Sequence, residues 1–182
     1  MKHIIHIFGA SGSGTTTLGA ALAREIGLVH MDTDDYFWLP TDPKFTAKRP
    51  IDERLALMNA DIDAAEKGVV ISGSLTGWGD PLIPRFTCVI RLNTPTETRI
   101  ERLRAREYAH FGERIREGGD MYENHLAFLD WAAQYDTGDV TMRSRACHDA
   151  WQETLPCPLL VVDGADDPAA NVARVREMLK AT

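Results

Sequence analysis

The segment that most constrains this chain is Gly9-Ala10-Ser11-Gly12-Ser13-Gly14-Thr15-Thr16, a run of small residues close to the N-terminus. It follows an apolar run at residues 4–8 and precedes Leu18, Leu22 and Ile26, which recur at the spacing of an amphipathic helix. Glycines allow the backbone to curl so that successive N–H groups face one point, and the start of the helix adds positive potential there. The segment therefore predicts a strand–loop–helix unit whose loop binds an anion.

The spacing of this loop is that of the phosphate-binding frame GxxxxGK(S/T), with one departure. Gly9 and Gly14 occupy the two glycine positions, and the hydroxyl of Thr16 falls where the frame has its Mg²⁺ ligand. Thr15 stands in place of the lysine that bridges the outer phosphates of a bound nucleotide, so the loop itself brings less positive charge to those phosphates. We expect ATP to bind through Gly9, Ala10, Ser11, Gly12, Ser13, Gly14, Thr15, Thr16 and Thr17.

Two other interpretations of the loop remain open at this point. Gly9, Gly12 and Gly14 partly match the glycine frame of a dinucleotide-binding fold, and Asp32 follows about 20 residues later, where such a fold has an acidic residue. The third glycine of that frame would fall at Thr15. The other alternative is a glycine-rich turn without a ligand. The strand–loop–helix context favours the phosphate-binding interpretation.

Short apolar runs alternate with helical patterns along the whole chain. Strands are predicted at residues 4–8, 28–31, 69–71, 86–92 and 159–162. Helices are predicted at residues 18–26, 52–67, 96–107, 121–135, 140–153 and 168–179. This alternation is typical of a parallel sheet covered on both faces. We therefore predict one α/β domain over residues 1–182, with a five-stranded parallel sheet between two layers of helices.

The composition argues against several classes of partner. The 182 residues carry a net charge of −7, whereas a nucleic-acid-binding protein normally presents a basic face to phosphates. No apolar run approaches the roughly 18 residues of a membrane span. Cys88, Cys147 and Cys157 are odd in number and lack the spacing of a metal site, so we expect reduced thiols. We predict a cytoplasmic protein that binds neither nucleic acid nor membranes.

Three carboxylates and three aromatic side chains follow the second predicted strand, in Asp32-Thr33-Asp34-Asp35-Tyr36-Phe37-Trp38. Ligands of parallel sheets bind beyond the carboxyl ends of the strands, so this cluster is expected beside the glycine loop. Carboxylates there can hold Mg²⁺ and accept the proton of an attacking hydroxyl. The alternative is a solvated loop with a helix cap. The aromatic side chains either form a wall for a ring-shaped substrate or simply pack.

Arginine supplies most of the positive charge. Arg99, Arg102 and Arg106 share one face of the predicted helix at residues 96–107, and Arg114 and Arg116 follow in a polar, glycine-containing segment. A solvated, salt-bridged surface accounts for most arginines of this kind. A phosphate loop without its lysine still needs positive charge near the outer phosphates, and the planar guanidinium binds phosphate in two places. We therefore expect some of these arginines to close over the nucleotide.

The order of these features resembles the adenylate-kinase-like branch of the small P-loop kinases over nearly the whole chain. Glu101-Arg102-Leu103-Arg104-Ala105-Arg106 is similar to the ER-x-x-x-R entry to the adenylate kinase lid. The resemblance implies a three-layer P-loop NTPase fold with an arginine-bearing lid at about residues 107–122. It also implies that Arg102 lies against the adenine, that Arg106 touches phosphate, and that Val162-Asp163-Gly164 passes the adenine.

Two further resemblances concern the acidic cluster. Asp32-Thr33-Asp34 is similar to the DxD motif of shikimate kinases, in which the first Asp serves Mg²⁺ and the second serves the substrate. Asp34-Asp35-Tyr36-Phe37 also resembles the acidic-aromatic turn of uridine-kinase-type enzymes, whose leading Asp acts as the base. These resemblances imply that Asp32 and Thr16 hold the metal and that Asp34 orients or deprotonates the acceptor.

The residues and the resemblance together predict an ATP- and Mg²⁺-dependent phosphotransferase acting on a small molecule or nucleotide, with Asp34, Arg102 and Arg106 as catalytic residues. The third predicted strand ends in Ser72-Gly73-Ser74 and not in the Asp-Gly-Phe-Pro-Arg of adenylate kinases, so AMP is not indicated as the acceptor. The sequence leaves the oligomeric state open. The missing lysine leaves an alternative, a non-catalytic nucleotide-binding sensor, although such a binder would not need the acidic cluster and the lid arginines.

Overall fold

A computed structural model describes residues 2–181 and contains one five-stranded sheet. The strands are β1 (His3–Gly9), β2 (Val29–Asp32), β3 (Gly68–Ser72), β4 (Cys88–Asn93) and β5 (Leu159–Asp163). The α-helices are α1 (Thr15–Ile26), α2 (Thr33–Phe37), α3 (Ile51–Ala64), α4 (Thr96–Phe111), α5 (Tyr122–Ala133), α6 (Arg145–Gln152) and α7 (Pro168–Ala181). Short 3₁₀ helices lie at Asp80–Arg85, Gly112–Ile115 and Gln134–Asp136.

The strand order is β2-β3-β1-β4-β5, and every neighbouring pair is parallel. The predicted α/β fold with a five-stranded parallel sheet is therefore confirmed. The glycine loop leaves the central strand β1, and the acidic cluster leaves β2 two strands away. The order differs from the 3-2-1-4-5-6 arrangement of dinucleotide-binding folds.

The side chains of β1 alternate between two apolar cores, one on each face of the sheet. Ile4 and Phe8 belong to the core that also contains Met58 of α3. Ile5 and Ile7 belong to the core formed with α1 and α7. Each fully buried aliphatic or aromatic side chain contributes about 1.5–3 kcal/mol, so burial on both faces explains why these strands read as continuous apolar runs.

Several boundaries differ from the sequence predictions, and three of them lie close to the acidic cluster, the predicted lid and α6. No helix was predicted within the acidic cluster, but Thr33–Phe37 forms the one-turn helix α2, which Asp32 caps by accepting from the Asp34 N–H at 3.0 Å. Helix α4 continues to Phe111, so the first residues of the predicted lid at 107–122 are helical. The predicted helix at 140–153 begins only at Arg145, because the Ser144 side chain caps the N–H of Cys147.

No helix within residues 2–181 has the length and apolar content that crossing a membrane requires. All three cysteines are free thiols in the structure, with Cys88 buried in β4. Burial raises the pKa of the Cys88 thiol to about 12. That sulfur stays protonated at neutral pH and acts as part of the core.

Two histidines lie entirely inside the protein. His6 on β1 stacks on Phe86 with ring centres 5.1 Å apart, and within residues 2–181 neither of its nitrogens has a partner with hydrogen-bond geometry. His148 on α6 contacts the Tyr135 hydroxyl through Nδ1 at 2.9 Å, and its other nitrogen has no partner among the described residues. Burial lowers the pKa of each to about 3, with the Ile71 main chain opposing the shift at His6. Both rings are neutral at pH 7.

We expect the free energy of unfolding to fall as the pH is lowered from 6.5 to 4.5. The pKa of each buried histidine is lower in the folded than in the unfolded chain, so the unfolded chain binds more protons. The stabilisation is present above pH 6.5 and is lost as the pH falls towards about 3. Each histidine contributes a slope of at most about 1.4 kcal/mol per pH unit.

Urea unfolding at several pH values measures this slope. His6→Phe keeps the ring stacking and removes one titrating group, so its slope over this range should be clearly shallower. The exposed His110, changed to Gln, is the matched control and should keep the parent slope. Equal slopes for His6→Phe and the parent would show that burial of His6 does not govern the acid response.

Candidate active site

The loops after β1, β2 and β3 open into one cavity of about 540 Å³, which α4 and α5 close on the other side. Its polar lining includes the glycine loop and six charged side chains, Asp32, Asp34, Lys48, Arg106, Glu107 and Arg143. Its apolar lining is mostly aromatic and includes Phe37, Trp38, Phe45, Trp78, Phe128 and Trp131. The cavity lies at the carboxyl ends of the strands, as expected for a parallel sheet.

The glycine loop is packed so closely that side chains cannot be added at two of its positions. A Cβ on Gly9 would lie 2.7 Å from the Leu92 carbonyl oxygen, and a Cβ on Gly12 would lie 2.6 Å from the Arg99 carbonyl oxygen. Gly12 and Gly14 also have positive φ values of 80° and 100°. Gly14 caps α1 and has no side chain to occupy the first N–H groups of the helix. The loop therefore has the features of an anion site that is formed by main-chain N–H groups.

The predicted loop residues divide into two groups. Those that line the cavity are Gly9, Ala10, Ser11, Gly12, Thr15 and Thr16. Ser13, Gly14 and Thr17 are not part of the lining. The Ser13 side chain is fully buried, and its carbonyl oxygen accepts from the Thr94 hydroxyl at 3.1 Å, so this residue holds the loop against the end of β4.

The two predicted metal ligands are in direct contact. The Thr16 hydroxyl at the start of α1 donates to Asp32 Oδ2 at the end of β2, at 2.8 Å. The other oxygen of Asp32 accepts from the N–H of Asp34. A hydroxyl and a carboxylate held together beside a phosphate site are oxygen ligands of the kind that Mg²⁺ prefers. The Asp32 carboxylate thus joins the glycine loop to the acidic cluster.

Asp34 lies in the same cavity, between charges of both signs. Burial among the cavity walls raises the pKa of its carboxyl group, and the neighbouring Asp32 raises it further. Arg106, Arg143 and the side chain of Trp38 act in the opposite direction. The residue remains open to the cavity. A carboxylate with a raised pKa that faces an open cavity is suited to accept a proton.

The three arginines predicted on one face of α4 have three different environments. Arg99 is fully buried, and its guanidinium donates to the carbonyl oxygens of Ser11 and Ala132, both at 3.2 Å. It therefore ties the glycine loop to α5. Arg102 donates to the carbonyl oxygen of Gly164 at 3.0 Å, beside the predicted adenine loop. Only Arg106 lines the cavity.

The two arginines predicted to act from the lid are engaged elsewhere. Arg114 pairs with Asp120 at 2.6 Å and with Asp42 at 2.7 Å. Arg116 pairs with Glu113 at 3.2 Å. Neither lines the cavity. The structure therefore does not support them as groups that cover a triphosphate, and their acidic neighbours explain why.

Sequence reasoning missed Arg143, which lines the cavity and acts electrostatically on Asp34. Its guanidinium lies 5.5 Å from the ring centre of Trp131, and that of Arg106 lies 5.9 Å from the ring centre of Phe128. Phe128 and Trp131 lie three positions apart on α5, a spacing that is typical of core residues, yet both line the cavity. The two rings of α5 thus support the two arginines that face Asp34.

The comparisons with known proteins agree with this geometry. A family model described as an AAA domain matches residues 5–127. The chain belongs to this family. The AAA-domain match covers the glycine loop, the acidic cluster and α4. It supports the phosphate-binding interpretation of the loop over the dinucleotide alternative.

Two relatives are similar in sequence to this AAA-domain protein. "Uncharacterized protein YqaC" of Bacillus subtilis (strain 168) is 45% identical over 181 residues, which are 98% of each chain. A cytidylate kinase of Pyrococcus horikoshii is 33% identical over 116 residues, covering 58% of each chain. The AAA-domain match confirms the predicted P-loop family, and the similarity to a cytidylate kinase over part of the chain agrees with the resemblance to small P-loop kinases.

Solved structures show the same fold at low sequence identity. A shikimate kinase from Bacteroides thetaiotaomicron has a TM-score of 0.54 at 18% identity and covers 98% of both chains. A shikimate kinase from Aquifex aeolicus has a TM-score of 0.54 at 15% identity, covering 97% of this AAA-domain chain and 96% of its own. At such identities the likeness concerns the fold alone.

Proposed function

We propose that this protein is an Mg²⁺-dependent phosphotransferase that moves the γ-phosphoryl group of ATP to a small-molecule acceptor. The observation that carries the proposal is the 2.8 Å contact between Thr16 and Asp32, with Asp34 in the same cavity. The contact joins a metal-binding pair to the glycine loop. Asp34 adds a proton acceptor where the second substrate would meet the phosphates.

The glycine loop fits the triphosphate of ATP. Its main-chain N–H groups, together with the start of α1, attract the β- and γ-phosphates. Arg102 lies between the loop and Gly164, where it can lie against the adenine. Thr16 and Asp32 would hold Mg²⁺. When bound, the ion neutralises charge on the outer phosphate oxygens.

The residues facing Asp34 account for the transfer itself. The Asp34 carboxylate accepts the proton of the acceptor hydroxyl as its oxygen approaches the γ-phosphorus. Arg106 and Arg143 supply the positive charge that Thr15 cannot. Guanidinium groups stabilise the charge that the equatorial phosphate oxygens carry in the transition state. Two arginines that reach the cavity from α4 and from the segment before α6 thus take the place of one loop lysine.

Replacing Thr16 by valine tests the metal site, because it removes the hydroxyl and keeps the shape of the side chain. We expect the concentration of Mg²⁺ needed for half-maximal transfer from ATP to rise roughly 10- to 100-fold. Thr16→Ser restores the hydroxyl and should behave nearly as the parent. A valine variant with an unchanged Mg²⁺ requirement would contradict the assignment.

Thr15 also supports a second candidate function, a nucleotide-binding sensor that does not transfer phosphate. It lines the cavity where a kinase would have its lysine. The two functions differ in what Asp34 does. A sensor would bind ATP with or without the carboxylate and would release no ADP with any acceptor, whereas a kinase would depend on Asp34 for turnover.

A further inference from the structure

Aromatic rings from several separate segments line the cavity next to Asp34. Phe37 is the last residue of α2, and Trp38 follows it in an extended conformation. We call Trp78, Phe37, Trp38, Phe45 and Phe111 the aromatic wall. Its neighbouring ring centres lie 4.8–6.3 Å apart, in an unbroken series.

Phe45 reaches the aromatic wall only through a strained main chain. Its φ is 64°, and it alone among the described non-glycine residues has a positive φ. Bulky residues rarely adopt this conformation, and it persists where the surroundings impose it, often at ligand sites. The conformation places the Phe45 ring between Trp38 and Phe111.

The charges limit what the aromatic wall can receive. Arg106 and Arg143 face Asp34, and the phosphates of ATP would use their charge. Lys48 is the third cation of the cavity lining. It is exposed, lies 5.8 Å from the ring centre of Phe37, and forms no ion pair with an acid among residues 2–181. Arg54 also lies over the Phe37 ring, at 3.9 Å, but it is not part of the cavity lining, whereas the acid Glu107 is. Lys48 is thus the one lining cation left for the acceptor, which suits at most one negative charge and not a phosphate dianion.

We propose that the acceptor is a planar ring compound with a hydroxyl group and at most one negative charge. The proposal rests on the proposed kinase function. The ring stacks on the aromatic wall, and its hydroxyl points at Asp34. The hydroxyl oxygen bonds to the γ-phosphorus of ATP as its proton passes to Asp34, and the bond from the γ-phosphorus to the bridging oxygen breaks to release ADP.

Calorimetry on the whole protein tests this class of ligand without relying on turnover. The donor site is first saturated with the β,γ-imido analogue of ATP and Mg²⁺. Four probes are then compared: uridine and 4-hydroxybenzyl alcohol as neutral rings, 4-hydroxybenzoate as a ring with one charge, and uridine monophosphate as a dianion. Gluconate, an acid without a planar ring, is the fifth probe.

We expect at least one of the three uncharged or singly charged rings to bind about tenfold more tightly than uridine monophosphate and gluconate. Trp38→Leu and Phe45→Leu should each weaken that ring about tenfold, as expected for one lost stacking contact. Lys48→Gln should weaken 4-hydroxybenzoate and leave 4-hydroxybenzyl alcohol unchanged. Lys44→Gln, an exposed lysine outside the cavity, should change neither.

Tightest binding of uridine would identify a nucleoside as the acceptor, and tightest binding of a benzene-ring probe would identify a simple aromatic alcohol. Both outcomes agree with the proposal. Stronger binding of gluconate or uridine monophosphate would overturn it, as would equal binding by parent, Trp38→Leu and Phe45→Leu. Unchanged affinity for the ATP analogue shows that the variants are folded. Failure of the parent to bind the analogue would overturn the kinase function itself, whereas donor binding without any ring ligand overturns only this inference.

Discussion

Asp34→Asn is expected to lower the rate of phosphoryl transfer by about 10²- to 10⁴-fold, the usual contribution of a positioned base. Asparagine has nearly the shape of aspartate but cannot accept the proton of the acceptor. ATP binding should remain, because in the proposed site the glycine loop, Thr16 and Asp32 hold the nucleotide without Asp34. The rate of ADP formation with a competent acceptor and the calorimetric affinity for MgATP measure the two effects separately.

The same variant is expected to be more stable than the parent at pH 7. The pKa of Asp34 is raised in the folded protein, so the folded state favours its neutral form. That contribution favours folding below the unfolded pKa of 3.8 and is lost as the pH rises through the folded pKa. Asparagine stays neutral throughout. Asp35→Asn is the matched control, since Asp35 is exposed and does not line the cavity. This variant should keep the stability and the transfer rate of the parent. An Asp34→Asn variant that transfers phosphate at the parent rate would show that Asp34 is not the base.

Arg143→Ala and Arg106→Ala are each expected to lower the maximal rate by about 10²- to 10³-fold, as the loss of one preorganised transition-state donor does. Both guanidinium groups face Asp34 from the cavity wall, and neither contacts the glycine loop in the way that Arg99 and Arg102 do. Their loss should therefore affect the maximal rate more than the affinity for ATP. Steady-state kinetics with varied ATP separates the two quantities.

The controls for these arginines come from the same segments. Arg104→Ala removes an exposed arginine of α4 outside the cavity and should leave the rate unchanged. Thr15→Lys restores the missing loop lysine, so we expect it to recover part of the rate lost in Arg143→Ala. If Arg143→Ala is as active as the parent, the arginines do not replace the lysine, and the sensor function gains support.

The parts of the site that lie on single motifs could be predicted from the sequence. The spacing of the glycine loop predicts that Thr16 is at the metal position. The end of the second apolar run predicts that Asp32 and Asp34 lie beside the loop. The position of each follows from local rules and from the parallel sheet, since strands β1, β2 and β3 lie side by side. The structure brings Thr16 and Asp32 into contact as this reasoning predicts.

The remaining wall of the cavity depends on tertiary packing that no local pattern specifies. Arg143 precedes the Ser144 cap of α6, and only the packing of α6 brings it to Asp34, 109 positions earlier in the chain. Phe128 and Trp131 form a helical stripe that is equally typical of a core. Arg99 and Arg106 share a face of α4, yet one is buried beneath the glycine loop and the other is exposed at the cavity. The depth of burial distinguishes them, and spacing does not.

Calorimetric titration of ATP with and without Mg²⁺ tests the central claim most directly. The parent should bind with a dissociation constant between about 1 µM and 1 mM, the usual range for enzyme substrates, and should bind more tightly with Mg²⁺. Gly14→Asp places a carboxylate at the start of α1 and should abolish binding. Gly27→Asp should bind ATP as the parent does, because Gly27 has a similar positive φ at the other end of α1 with nothing within 4 Å of an added Cβ. Absence of ATP binding in the parent, or equal binding by Gly14→Asp, would contradict the account.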